Sequence, residues 1–246
     1  MKNNPSENEV ARLAWDTVAA RLAAGGAAIL PIGAGAKEHG LHMPMGADQV
    51  IAGYFAHQLA QRIDALIWPT LTYGHYTAFV AYAGSVSLRP ATFQAAVTEI
   101  ADALISFRAR RVLILDTGRS TIEPVSAAIA ASRRPSSIRH LKVFAGSRYL
   151  ATVRAIAKQP YGSHADEIET SLMLVIAPEL VDMTRAKPSP FSPAGPAPGP
   201  LSQDDPSSPN YSPGGSFGDP TLASVEKGRK VLAAILDDLL EAVDTF

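Results

Sequence analysis

Between positions 37 and 48 the chain carries Lys37, Glu38, His39, His42 and Asp48, five side chains that can hold or move charge within twelve residues. Imidazole and carboxylate without thiolate form a donor set that suits zinc, manganese or iron. A bound divalent ion polarises carbonyls and turns water into hydroxide near neutral pH. An ammonium among carboxylates can instead neutralise them without a metal, or stabilise an anionic substrate group. Plainer readings stand beside these. His39 could hold its turn by bonding to backbone, Asp48 could cap the helix that follows, and Lys37 could be an ordinary solvated lysine. His42 reads as structural, packed under the loop.

Two other stretches carry chemistry. Asp116-Thr117-Gly118-Arg119-Ser120 closes an apolar run. Asp116 there is a catalytic candidate or the cap of the next helix. Arg119 has the planar fork that grips a carboxylate, with Ser120 beside it as a second substrate-binding candidate. In 163–171, His164 and Glu169 are candidate acid/base and orienting groups. The alternative is an ordinary helix start, where Asp166 and Glu167 complement the dipole. His75 and Tyr76 lie in a loop that could roof a pocket, which makes His75 a third substrate-binding candidate. His57 and His140 read as surface or core histidines. No Gly-x-Ser-x-Gly elbow follows any strand, and Gly33-x-Gly35 lacks the third glycine of a dinucleotide site.

The elements that must position these groups follow from hydrophobic period. Apolar runs at 27–30, 65–68, 111–116 and 138–144 read as buried strands. Helical spacing marks about 7–24, 50–63, a helix opened by Pro90, 122–132, 148–158, 172–176 and 222–243. Strands alternating with helices argue for a mostly parallel sheet covered on both faces, with ligands at the carboxyl ends of its strands. The loop at 31–48 is long for a strand-to-helix connection, and such loops tend to be functional. Residues 187–219 are dense in proline, serine and glycine. They read as an extended arm that crosses a neighbouring subunit or stays mobile. The whole chain, residues 1–246, reads as one domain that carries this arm.

Bulk properties narrow the classes. The formal net charge is −1 and charged residues are 18%, so nothing favours nucleic acid or a membrane surface as partner. With no cysteine there are no disulfides, thiolate nucleophiles or cysteine-based zinc sites. The polar N-terminus lacks the apolar core of a signal peptide, and a cytoplasmic location is expected.

Taken in order, four segments resemble the creatininase (creatinine amidohydrolase) family. They are Pro31-Ile32-Gly33 with His39-Gly40-Leu41-His42-Met43-Pro44-Met45 and Asp48; Ala83-Gly84-Ser85-Val86-Ser87-Leu88; His164-Ala165-Asp166 with Glu169-Thr170-Ser171; and Phe217-Gly218-Asp219-Pro220 with Ala223 and Glu226-Lys227-Gly228. The resemblance implies a three-layer α/β/α sandwich, a homo-oligomer, and hydrolysis of a C–N bond in a small amide or cyclic amide at a two-metal site. By the same resemblance His39 and Asp48 are metal ligands, while the family's first glutamate falls on Lys37, with Glu38 able to compensate. Gly118 and Ser120 stand where the family has a histidine ligand and a second-metal ligand. The expectation is therefore at most one ion per subunit, held by His39 and Asp48, with Lys37 filling the second position, or no ion at all. A non-catalytic member that binds a small ligand in the same pocket is the competing expectation.

Overall fold

The computed structural model describes residues 5–190 and 199–246. Four parallel strands, β1 (Ala27–Ile32), β2 (Ala65–Ile67), β3 (Val112–Asp116) and β4 (Ile138–Lys142), form one sheet in the order β2-β1-β3-β4. Every residue of β1, β2 and β3 is buried, as unbroken apolar strands require when both faces of a parallel sheet are covered. The pleat sorts them. Ile29, Leu113, Leu115 and Leu141 face one apolar layer; Ala28, Ile32, Val112, Ile114 and Ile138 face the other.

The first layer is built by α2 (Ala47–Ala60), α5 (Ser147–Ile156), α6 (Glu167–Ile176) and α7 (Val225–Asp244). The second comes from α1 (Trp15–Ala23), α3 (Pro90–Ser106) and α4 (Ile122–Ala131). On α3 the stripe Phe93, Val97, Ala101 and Leu104 is buried against the sheet, each large side chain contributing about 1.5–3 kcal/mol. The result is the expected α/β/α sandwich.

Three boundaries differ from the expectation. The N-terminal helix is confined to α1, and short 3-10 turns at Pro5–Asn8 and Val10–Arg12 precede it. Tertiary bonds hold that segment instead: Glu9 bridges Ile67 and accepts from His57 Nε2 at 2.8 Å, and Asn8 Nδ2 donates to the Ala60 carbonyl. Helix α2 starts three residues early, so Asp48 lies inside its first turn and Gly46 is the cap residue. Helix α6 starts at Glu167, capped by the Asp166 carboxylate, which accepts from the Ile168 and Glu169 amides.

In its described part the proline-rich arm also makes bonds within its own chain. Residues 199–219 lie against their own chain. The Leu201 amide donates to the Ala78 carbonyl at 2.8 Å, and the Tyr82 hydroxyl donates to the Ser212 carbonyl at 2.5 Å. Phe217 and His164 exchange backbone bonds. Leu201, Tyr82 and Phe217 make a small apolar cluster of their own. Proline and glycine prevent a regular element here, but loop carbonyls and amides satisfy the backbone. Residues 191–198 of the arm lie outside the described residues. Among the described residues no helix is long and apolar enough to cross a membrane.

Candidate active site

The site forms where the loops after β1 and β3 meet the start of α6. Gly33, just past β1, lets the chain pass against the first turn of α2; a Cβ there would overlap the Asp48 backbone carbonyl. That close approach brings Asp48 under the loop carrying Lys37 and His39. Lys37 Nζ lies 2.6 Å from Asp48 Oδ2, with side-chain exposures of 7% and 1%. His39 Nε2 stands 3.3 Å from Asp48 Oδ1. Burial by itself would raise the Asp48 carboxyl, but Lys37 and His39 outweigh it and hold the group well below the usual carboxylate range.

Both imidazoles have acceptors beside their ring nitrogens. His39 Nδ1 faces the Lys37 carbonyl at 3.2 Å and Nε2 faces the Asp48 carboxylate at 3.3 Å; with a proton on Nδ1, Nε2 can offer its lone pair to an ion. Among the described residues that buried Nε2 has no polar neighbour closer than the Asp48 carboxylate, which the Lys37 ammonium already holds. His164 Nε2 faces the Glu38 carbonyl at 2.9 Å and the Glu38 carboxylate at 3.0 Å. Both are acceptors, so Nε2 carries the proton and Nδ1 keeps the lone pair, 3.8 Å from Glu169 Oε2. His39, His164 and Glu169 each offer a ligating atom, and the three atoms lie within 4.8 Å of one another. Two lone-pair nitrogens and a carboxylate oxygen fit a zinc, manganese or iron ion. Glu38 turns its carboxylate to His164 and so sits behind the ring. Burial would raise Glu38, yet His164 and the Gly40 amide hold it below the usual range.

A cavity of about 520 Å³ opens beside this group, lined on its inner side by Lys37, His164 and Glu169. Phe79 packs on the His164 ring with centroids 4.3 Å apart, and Lys37 Nζ lies 4.6 Å from the Phe79 centroid. Arg119, exposed, lines the same cavity, as do Thr117 and Ser120. The Ser120 hydroxyl donates to the His75 carbonyl at 2.5 Å. The His75 ring itself is turned to the Leu88 carbonyl at 3.0 Å and does not line the cavity. Asp116 pairs across from Ile32 on β1 and is buried behind the wall. It accepts from the Thr121 hydroxyl at 2.7 Å and the Gly118 amide at 2.9 Å, and it faces His140 Nε2 at 3.0 Å.

Some contributors have no site role in the sequence reading, His140 among them, which reads there as a surface or core histidine. Asp116 stands opposite Lys142, so His140, one pleat back on β4, shares its face of the sheet; strand register was the available signal. Tyr149 and Phe144 line the cavity from α5 and its approach, and Leu201, Asn210 and Phe217 line it from the arm. Nothing in the period of those segments points inward. His42, read as structural, places Nε2 2.8 Å from the Thr170 hydroxyl oxygen.

Comparison with known proteins agrees with this architecture. The creatininase family model, described as creatinine amidohydrolase, matches residues 11–243. A creatinine amidohydrolase of Pseudomonas putida is 30% identical over 95% of both chains. A mycofactocin precursor peptide peptidase of Mycobacterium ulcerans (strain Agy99) is 27% identical over 87% of this chain and 83% of its own. Among solved structures, one designated creatininase Mn superposes with a TM-score of 0.81 at 25% identity, covering 97% of this chain and 98% of the other. A mutant creatininase of Zn-Zn type gives 0.79 at 25% identity over 96% and 97%.

Proposed function

The chain belongs to the creatininase family, and on that premise we propose that it hydrolyses a C–N bond of a small amide or cyclic amide in the cavity beside His39 and His164. The observation that carries this reading is the group His39, His164 and Glu169, three converging ligand atoms of which His164 and Glu169 line a cavity together with Lys37. Those three residues would hold a divalent ion, which supplies carbonyl polarisation and a hydroxide nucleophile at neutral pH. Glu38 orients His164 and raises its basicity as a ligand, as a carboxylate behind a metal-bound histidine does. Lys37 places a buried positive charge at the cavity wall, where it stabilises the oxyanion that develops on an attacked carbonyl. Arg119 offers a bidentate grip for a carboxylate on the substrate. Phe79 and Phe217 keep water from that end of the cavity.

A second reading has its own support. Asp116 is fully engaged by Thr121, Gly118 and His140, and Gly118 and Ser120 offer no imidazole or carboxylate. This favours a member that binds a small ligand without turning it over. The peptidase relative adds peptides to the substrates worth trying. A panel of lactams, formamides, cyclic guanidino compounds and short peptides, assayed with and without Mn2+, decides between them. Release of amine or acid from a small amide, lost in Glu169→Gln, is the expected result. Cleavage of peptides alone would move the substrate class to peptides. Saturable binding with no turnover would establish the non-catalytic member.

A further inference from the structure

Lys37 is the least ordinary side chain of the site. Its ammonium is 2.6 Å from Asp48 Oδ2, and the Phe79 and Tyr76 rings lie 4.6 and 5.7 Å from Nζ. A carboxylate and two aromatic faces make a complete cation site that the chain fills from within. Any ion bridging through Asp48 would have to share that carboxylate with a positive charge only a few ångströms away, in a buried place where screening is weak.

The loop after β3 independently removes the ligands a second ion would need. Asp116 is committed to Thr121, Gly118 and His140. Ser120 is committed to the His75 carbonyl, Gly118 has no side chain, and Arg119 is a cation. The remaining ligand atoms are those of His39, His164 and Glu169. We propose that Lys37 is a permanent internal cation standing where a second metal ion would otherwise sit, so that each chain binds a single divalent ion through His39, His164 and Glu169. The choice of ligands rests on the active-site reading above; the substrate does not enter.

The test is Mn2+ binding to the metal-free full-length protein, followed by metal analysis after dialysis and by electron paramagnetic resonance. One equivalent per chain with the six-line spectrum of an isolated Mn(II) is expected, and Lys37→Arg should keep both. Lys37→Glu removes the resident charge and adds a carboxylate, so it should take up a second, weaker equivalent. Two equivalents with an exchange-coupled spectrum in the wild-type protein would overturn the proposal, as would a wild-type protein that binds none. So would a Lys37→Glu protein that remains at one. If that variant does not fold, the wild-type stoichiometry and spectrum decide alone. Amide turnover measured with and without chelator reports separately on the hydrolase reading, which survives a two-ion wild type or a Lys37→Glu protein that remains at one.

Discussion

The histidines near the site are oriented by what their ring nitrogens face, and for His42 the surroundings have a measurable consequence. His42 is buried, with Nε2 against Thr170. Burial, followed by repulsion from His39, pushes its pKa down from the usual value to about 4. The unfolded chain therefore binds a proton near pH 6.5 that the folded chain refuses until about pH 4. The stabilisation is complete above the unfolded value and is lost as pH falls through that window. Its size is on the order of 3 kcal/mol. Thermal unfolding from pH 7 to pH 4 should show the wild-type protein losing more stability than His42→Gln; parallel curves would show that His42 does not titrate in this way. Glu38 acts on His164 from behind. Glu38→Gln should weaken Mn2+ binding by roughly 10–100-fold with little change in melting temperature, and calorimetric titration would measure it. An unchanged affinity would mean the ring is oriented by the Glu38 carbonyl alone.

Among the elements, α7 packs directly on α6, which carries Glu169. The sequence triplet Glu226-Lys227-Gly228 acquires its physical meaning here. Lys227 Nζ pairs with the fully buried Glu167 carboxylate and donates to the Leu222 carbonyl at 2.7 Å. Gly228 lies where a Cβ would overlap the Ser171 carbonyl oxygen. In an open helix Gly→Ala gains up to about 1 kcal/mol; here the methyl must push α7 off α6, and overpacking of this kind costs about 1–3 kcal/mol or more. The overlap is with backbone, which cannot rotate away, so the cost wins. Gly228→Ala should lower the melting temperature by several degrees, about 2–4 °C per kcal/mol for a domain of this size. A rise would show that the two helices separate freely. Such contacts explain what was legible in the chain. The strands and most helices follow from period, because a parallel sheet demands unbroken apolar runs such as 112–116. The segment 7–14 did not, because Glu9 and Asn8 are held by partners some fifty residues away. The charged loop 37–48 announced its chemistry, but which acid meets which base depended on Asp48 falling inside α2. The Lys37–Asp48 and Glu38–His164 pairings are properties of the folded loop, and residue types alone do not determine them.

At the scale of the whole molecule, the cavity is closed by a segment whose composition argues against packing. Phe217 is 2% exposed and lies with its ring 5.3 Å from that of Tyr161. It shares a cluster with Tyr82 and Leu201 and exchanges backbone bonds with His164. One apolar anchor thus ties the arm, the loop at 76–82 and the strand-like entry to α6 into a single wall. Truncating a buried phenylalanine removes its transfer energy and leaves a cavity, typically costing 3–5 kcal/mol. At an anchor that also fixes the His164 backbone, the loss should reach the site. Phe217→Ala should lower the denaturant midpoint by the equivalent of roughly 3 kcal/mol and weaken Mn2+ binding in parallel, because the segment whose backbone pairs with His164 loses the side chain that seats it. A separable arm behaves differently: stability would change by less than about 0.5 kcal/mol, the range of surface substitutions, and metal affinity would stay as it was. Chemical unfolding together with metal titration of the one variant distinguishes the two, since only a wall built into the fold couples the readouts.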